Sequence, residues 1–186
     1  MRMLLPFVIG LLALPAQIHA QSISVSPFRS VELRGGGDVE IVPGPSQRVT
    51  LLNGSTAYTS FRVDNDGKLR IDACNSRCPR NYPLHIRIES PSVPSVAVAA
   101  GGTIVAAPGF APQAHLAAAV HAGGTIDLRA VDATDVSAAV NAGGDIYVLP
   151  RATLSAAVNA GGDVHYSGNP RISMAIANGG NVSRSN

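Results

Sequence analysis

Ala138-Ala-Val-Asn-Ala-Gly-Gly-Asp-Ile146 recurs almost unchanged as Ala156-Ala-Val-Asn-Ala-Gly-Gly-Asp-Val164. Three further segments share the pattern: Val96-Ala-Val-Ala-Ala-Gly-Gly-Thr-Ile104, Ala118-Ala-Val-His-Ala-Gly-Gly-Thr-Ile126 and Met174-Ala-Ile-Ala-Asn-Gly-Gly-Asn-Val182. The first glycine of each pair falls at 101, 123, 143, 161 and 179, so the periods are 22, 20, 18 and 18 residues. A pattern at nearly constant spacing indicates one structural unit stacked on itself.

The length of the repeat indicates its secondary structure. A helical pair needs more than about thirty residues, whereas about 18–22 residues fit a coil of short strands that stack about 4.8 Å apart. We therefore predict an all-β parallel β-solenoid with three short strands per coil. Its β-branched core columns would be Val98, Val120, Val140, Val158 and Ile176, and Ile104, Ile126, Ile146, Val164 and Val182.

The glycine pairs are predicted to form the corners of the coils, because glycine accepts a positive φ. The corners are Gly101-Gly102, Gly123-Gly124, Gly143-Gly144, Gly161-Gly162 and Gly179-Gly180. Two polar columns flank them, one containing Asn141 and Asn159 and the other Asp145 and Asp163. We expect the asparagines to hydrogen-bond along the stack and the aspartates to satisfy corner N–H groups. Whether a cation binds between Asp145 and Asp163 stays an open question, although the sequence lacks the spacing typical of calcium-binding β-rolls. No metal site or cofactor is predicted.

The N-terminal half is predicted to consist of less regular strands. Apolar and polar residues alternate in Val31–Leu33, Val39–Ile41, Val49–Leu51, Phe61–Val63, Leu69–Ile71 and Leu84–Ile88, as in strands with one wet face. Asn65-Asp66-Gly67 supplies hairpin turn residues, and Gly35-Gly-Gly-Asp-Val-Glu-Ile41 echoes the repeat. We expect residues 21–95 to cap regular coils at 96–186, with one continuous domain over 28–182.

The N-terminus predicts export. Arg2, an apolar run from Leu4 to Ala16 and the small Ala20 have the order of a signal peptide, residues 1–20, cleaved after Ala20. We therefore expect a periplasmic or extracellular protein with no membrane span after cleavage. In such an oxidising compartment, Cys74 and Cys78, the two cysteines of the chain, are expected to form a disulfide.

Composition argues against several function classes. A net charge of +2 with scattered basic residues disfavours nucleic acid. The sequence contains no Gly-x-Ser-x-Gly, His-Glu-x-x-His, phosphate-loop or dinucleotide motif, so no catalytic residue is predicted. The histidines, among them His115, His121 and His165, have no spacing that brings them together, and we expect surface or ladder-filling roles.

Several segments in order resemble a known family. They are Phe28-Arg-Ser-Val-Glu-Leu33, Gly37-Asp-Val-Glu-Ile41, Leu69-Arg-Ile71, Ile86-Arg-Ile-Glu-Ser-Pro91, the Ala-Gly-Gly-Asp corners and Val164-His-Tyr-Ser-Gly-Asn-Pro170. Together, from about Phe28 to Val182, they resemble the auto-transporter adhesin head GIN domain. The resemblance implies an extracytoplasmic β-solenoid of adhesin-like type.

Two functional hypotheses follow. The favoured one is an exported non-catalytic protein, an adhesin-like or envelope-associated binding or structural module. Its partner would be an envelope polymer or another surface protein, and self-association is a further option. The alternative is a glycan-active β-helix enzyme that uses Asp145 and Asp163 as its carboxylates.

Overall fold

The computed structural model describes residues 20–75 and 77–185, and within these ranges the fold is all-β and contains no helix. The predicted signal peptide, apart from Ala20, lies outside the described residues. In the described part of the chain, no helix has the length and apolar character needed to cross a membrane.

Over the described residues, seventeen strands form two sheets. Sheet A contains nine strands, which are β1 (Gln21–Ile23), β3 (Asp38–Pro43), β4 (Arg48–Asn53), β7 (His85–Ser90), β9 (Thr103–Ala106), β11 (Thr125–Asp127), β13 (Asp145–Val148), β15 (Asp163–Tyr166) and β17 (Asn181–Arg184). Sheet B contains eight strands, which are β2 (Ser30–Arg34), β5 (Ser60–Val63), β6 (Lys68–Asp72), β8 (Ser95–Ala100), β10 (Gln113–Val120), β12 (Ala133–Ala142), β14 (Pro150–Ala160) and β16 (Arg171–Ile176).

From β8 to β17 the chain alternates between the two sheets. Each strand pairs in parallel with the equivalent strand of the next repeat, so equivalent side chains share a column. The column in sheet B is Val98, Val120, Val140, Val158 and Ile176, and the column in sheet A is Ile104, Ile126, Ile146, Val164 and Val182. The register predicted from the repeat is thus present in the structure.

Two features of the predicted architecture need correction. The sheets are mixed rather than purely parallel, because β1–β4, β4–β7 and β5–β6 are antiparallel pairs. Each repeat after β8 contributes two strands, one to each sheet, instead of three. The physical reason is that small exposed residues and apolar buried residues alternate without a turn residue from Leu154 to Val158, within the single strand Pro150–Ala160.

The N-terminal strands continue the same two sheets. Strand β2 lies between β8 and β6, and β3 lies between β9 and β7, so the glycine-rich segment at Gly35–Gly37 forms a corner beside Gly101-Gly102. There the N–H of Thr103 donates to the carbonyl of Gly37 at 2.9 Å. The hairpin predicted around Asn65-Asp66-Gly67 is confirmed as β5–β6.

One hydrophobic cluster runs through the molecule between the sheets, from Phe28 to Val164. Its largest fully buried side chains include Leu33, Ile88, Ile126 and Ile146. Removing such aliphatic side chains from water is the main favourable term in folding. The last repeat differs, because Met174 is 54% exposed and Ile176 is 45% exposed.

Candidate functional site

The glycine corners are closed by backbone contacts. All ten corner glycines have positive φ, for example +70° at Gly143 and +96° at Gly144. The N–H of Asp145 donates to the carbonyl of Gly124 at 3.0 Å, and the N–H of Asp163 donates to the carbonyl of Gly144 at 2.9 Å. We expected the aspartate side chains to satisfy corner N–H groups, but these corner bonds are made by the main chain.

The asparagine column lies just before the corners, on the outer side of β12 and β14. Asn141 Nδ2 lies 3.1 Å from His121 Nδ1, so the side-chain bond along the stack joins asparagine to histidine. Asn159 occupies the next position of the column and, like Asn141, is exposed. We expected the asparagines to bond to each other, whereas the side-chain bond found in this column joins Asn141 to His121.

Asp145 and Asp163 are register partners on neighbouring strands of sheet A. Their side chains point outward, because the residues that follow them, Ile146 and Val164, are fully buried and successive strand residues face opposite sides. His165 shares this outer face, and donor atoms of the two carboxylates and its imidazole all lie within 4.8 Å of one another. His165 Nε2 is 3.9 Å from Asp145 Oδ1.

The imidazole of His165 is held on three sides. Its ring stacks on Tyr147 with centroids 4.6 Å apart and planes inclined by 15°. Ser183 Oγ lies 3.2 Å from Nδ1, which leaves Nε2 directed toward Asp145. The guanidinium of Arg129 lies 4.7 Å above the centre of the Tyr147 ring, so a row of planar groups runs from the turn after β11 across β13 to β15.

Arg129 is fixed in that row by an ion pair. It donates to Asp127 from Nε at 2.9 Å and from Nη2 at 2.5 Å. This side-chain hydrogen bonding lowers the pKa of Asp127 despite the opposing effect of partial burial, and the same pair raises the pKa of Arg129. The two-point contact sets the plane of the guanidinium over Tyr147.

His165 was not selected from the sequence as a partner of the aspartates. A signal existed, because Asp163 and His165 are two residues apart on one predicted strand and therefore share a face. Asp145 lies one repeat earlier in the same column. Of the other histidines among the described residues, His85 lies in β7 of sheet A, His115 lies in β10 of sheet B and His121 directly follows β10. His115 Nδ1 is 3.5 Å from Asp135 Oδ2.

The outer face of sheet B carries a shallow groove of about 490 Å³. Its floor consists of two columns of small side chains, which together we call the small-residue face. One column is Ser95, Ala117, Ser137 and Ser155, and the other is Ala97, Ala119, Ala139 and Ala157. Because no long side chain rises from these columns, the face is flat and its shape is set by the backbone ladder.

Charged groups border one end of the groove. Glu32 is the one carboxylate among the described residues that line it. Its oxygens lie 3.4 Å from Lys68 Nζ, 3.8 Å from Arg70 Nε and 3.6 Å from Arg34 Nε. The groove therefore does not contain the pair of carboxylates that glycoside hydrolysis requires. Asp145 and Asp163 lie on the other sheet.

The predicted disulfide is present between Cys74 and Cys78. It closes a loop next to a hydrogen-bonded cluster, in which the hydroxyl of Tyr82 lies 3.0 Å from Thr59 Oγ1 and accepts from the N–H of Ser55. Thr59 is buried and donates to the carbonyl of Ala73 at 2.9 Å. These bonds anchor the loop to the end of β6 and suit a structural role.

Comparison with protein families finds one match within the chain. The model described as "Putative auto-transporter adhesin, head GIN domain" matches residues 95–170, which confirms over this segment the resemblance drawn from the sequence. No curated protein matches the chain.

Several solved structures are similar to the chain. A "putative adhesin" from Bacteroides fragilis NCTC 9343 is 16% identical with a TM-score of 0.46, covering 91% of this chain and 98% of that chain. A "putative adhesin" from Parabacteroides merdae ATCC 43184 is 10% identical with a TM-score of 0.40, covering 92% and 98%. A "Putative lipid binding protein" from Parabacteroides distasonis ATCC 8503 is 15% identical with a TM-score of 0.37, covering 89% and 96%.

Proposed function

Starting from the match of residues 95–170 to the head GIN domain model, we propose that this protein is an exported, non-catalytic binding module. It would bind an extended partner, either an envelope polymer or another surface protein, on the small-residue face. The observation that carries the proposal is the groove of about 490 Å³ over in-register Ser and Ala columns.

The shape of the face favours an extended partner. Equivalent residues recur from strand to strand, as Ala119 does with Ala139 and Ala139 with Ala157, so each repeat offers the same contact about 4.8 Å further along. A rigid surface loses little conformational entropy on binding. A partner with its own repeat, or an extended chain, can use such contacts several times.

We propose that the alternating strands form a β-solenoid of two strands per coil, capped at its N-terminal end by the antiparallel strands. The parallel ladders from β8 to β17 support this reading, as does the continuous hydrophobic cluster. Stacked repeats of this kind are rigid along their axis because each coil packs on its neighbours.

Export is supported by two independent features. The predicted signal peptide places the mature N-terminus at Gln21. The Cys74–Cys78 disulfide is of a kind that persists in oxidising compartments. Cell fractionation with N-terminal sequencing of the mature protein tests the assignment, and a cytoplasmic protein that retains Met1 would contradict it.

The binding test uses one variant on each sheet. Ala139→Arg places a long charged side chain in the middle of the small-residue face, and Val105→Arg makes a comparable change on the outer face of sheet A, where Val105 is 39% exposed. We expect retention on immobilised envelope polysaccharide or on envelope protein extract to fall at least tenfold in Ala139→Arg. Val105→Arg should bind as the wild type does.

Four outcomes would count against the proposal. If the wild-type protein binds neither the polysaccharide nor the protein extract, the binding role is wrong. If Ala139→Arg and Val105→Arg lose binding equally, the assignment of the binding face to sheet B is wrong. Hydrolysis of a polysaccharide panel that disappears in the Asp145→Asn, Asp163→Asn double variant would favour the enzyme instead. Concentration-dependent sedimentation of the purified chain, without binding to either fraction, would favour a self-associating structural module.

A further inference from the structure

We propose that Asp145, Asp163 and His165 form a binding site for a divalent transition metal of the zinc type on the outer face of sheet A. The site is separate from the small-residue face and does not depend on its function. It would join two successive repeats, because Asp145 belongs to β13 and the other two ligands belong to β15.

The donor set is close to the geometry that such an ion requires. One donor atom from each residue lies within 4.8 Å of the others, and His165 Nε2 is 3.9 Å from Asp145 Oδ1. In a tetrahedral zinc site with bonds of about 2.0–2.2 Å, neighbouring donors are about 3.4 Å apart. The donor separations therefore exceed that spacing by about 0.5 Å at the 3.9 Å contact and by at most about 1.4 Å elsewhere, and binding would require side-chain rotations that close this difference.

The chemistry of the donors selects the class of metal. Calcium binds six to eight oxygen ligands, and this site offers an imidazole with two carboxylates. Imidazole with carboxylate suits zinc and neighbouring first-row ions. Three protein ligands leave a fourth position open to water or to a group of a partner.

The surroundings of His165 supply a second, independent indication. A histidine that binds a metal generally uses its other ring nitrogen for a hydrogen bond that fixes ring orientation. Here Ser183 Oγ is 3.2 Å from Nδ1, and Tyr147 fixes the ring plane from the side of β13. Nε2 is thereby directed at the carboxylates before any ion binds.

Main-chain carbonyls, rather than the two carboxylates, accept the N–H groups at the start of β13 and β15. The N–H groups of Asp145 and Asp163 bond to glycine carbonyls of the preceding corners. Two carboxylates held one strand spacing apart repel each other, and His165, whose side chain is 25% exposed, lies beside them. A divalent cation neutralises this pair and uses the partly buried imidazole as its third ligand.

The experiment measures binding of Zn²⁺ alone to the purified full chain, treated with a chelator and carrying no histidine tag. Calorimetric titration should give one site per chain, and the midpoint of thermal unfolding should rise with added Zn²⁺. His165→Ala, Asp145→Asn and Asp163→Asn should each weaken binding at least tenfold. His115→Ala is the matched control, because His115 also lies beside an aspartate, Asp135, and its loss should leave the affinity unchanged.

Nitrogen NMR of the wild-type protein keeps the test decisive if a variant unfolds. Zn²⁺ should shift the Nε2 resonance of His165 and leave those of His115 and His121 in place. The proposal is overturned if no Zn²⁺ binds, if His165 shows no shift, or if the three folded variants bind as the wild type does. Binding of Ca²⁺ in preference to Zn²⁺, unaffected by His165→Ala, would also overturn it.

Discussion

Gly144 lies directly against the carbonyl oxygen of Gly124 in the preceding corner, so a Cβ built on Gly144 would come within 2.5 Å of that oxygen. The same carbonyl accepts the N–H of Asp145 at 3.0 Å. The second glycine of each pair is thus required by close approach of the backbone as well as by its positive φ, which is +96° at Gly144.

Gly144→Ala is therefore expected to lower the free energy of unfolding by about 3 kcal/mol or more, because left-handed strain adds to a clash with backbone. Gly143→Ala is the matched control. Gly143 has φ +70°, but a Cβ added to it would have no atom within 4 Å. Gly143→Ala should therefore lower the free energy of unfolding by only about 1–2 kcal/mol. Urea denaturation measures both, and equal losses would contradict the role given to the stacked corners.

Ile146→Ala should be far more costly than Ile176→Ala, although both residues belong to core columns. Ile146 is fully buried between Ile126 and Val164, and truncation of such a side chain costs about 2–5 kcal/mol. Ile176 in the last coil is 45% exposed, so its truncation should cost clearly less. Chemical denaturation of the two variants provides the comparison, and a larger loss at Ile176 would show that the last coil is covered in solution.

Replacing Cys74 and Cys78 together by serine should lower the free energy of unfolding by about 2 kcal/mol, the chain-entropy value for so short a loop. The sheets should persist, because the disulfide lies in the loop after β6. Thermal unfolding followed by circular dichroism, with and without reductant, measures the effect. Loss of the β spectrum in the double variant would assign the disulfide a larger role than we infer.

The Asp127–Arg129 pair should make stability depend on acid pH. Because the pKa of Asp127 is lowered in the folded protein, its contribution is present above the unfolded pKa of about 3.9. The contribution is lost as pH falls through the lower folded value. Asp127→Asn should flatten this part of the stability profile, measured by denaturation between pH 2 and pH 6. Arg129→Gln should have the same effect, and an unchanged profile in both variants would contradict the inference.

Much of the C-terminal half could be predicted from the repeat. The columns through Val120 and Ile126 follow from spacing alone, because a constant period of β-branched residues stacks most simply in register. The number of strands in each repeat did not follow from the spacing. Periodicity marks the glycine corner, but the second turn of each coil carries different residues, as at Leu149-Pro150 and at Arg129–Asp132.

In the N-terminal half, the strands could be located from the sequence but their order in the sheets could not. Alternation located strands such as Ser30–Arg34 and Lys68–Asp72, and Asn65-Asp66-Gly67 located the hairpin that joins Lys68–Asp72 to the preceding strand. Their order in the sheet, with β2 between β8 and β6, was not predictable. Alternation specifies which face of a strand is buried, whereas the choice of neighbour depends on contacts between residues distant along the chain.

The amino-acid sequence by itself determined the β class, the corner glycines and the two apolar columns, because each follows from local conformational preference or from a regular period. The pairing of Cys74 with Cys78 was also expected from the sequence, because the chain has two cysteines and its N-terminus predicts export to an oxidising compartment. The tertiary structure decided that Asp145, Asp163 and His165 meet on one face and that a groove forms over the small residues of sheet B. Stacking converts a separation of 18 residues along the chain into one strand spacing, and only the folded register brings those side chains within reach of one another.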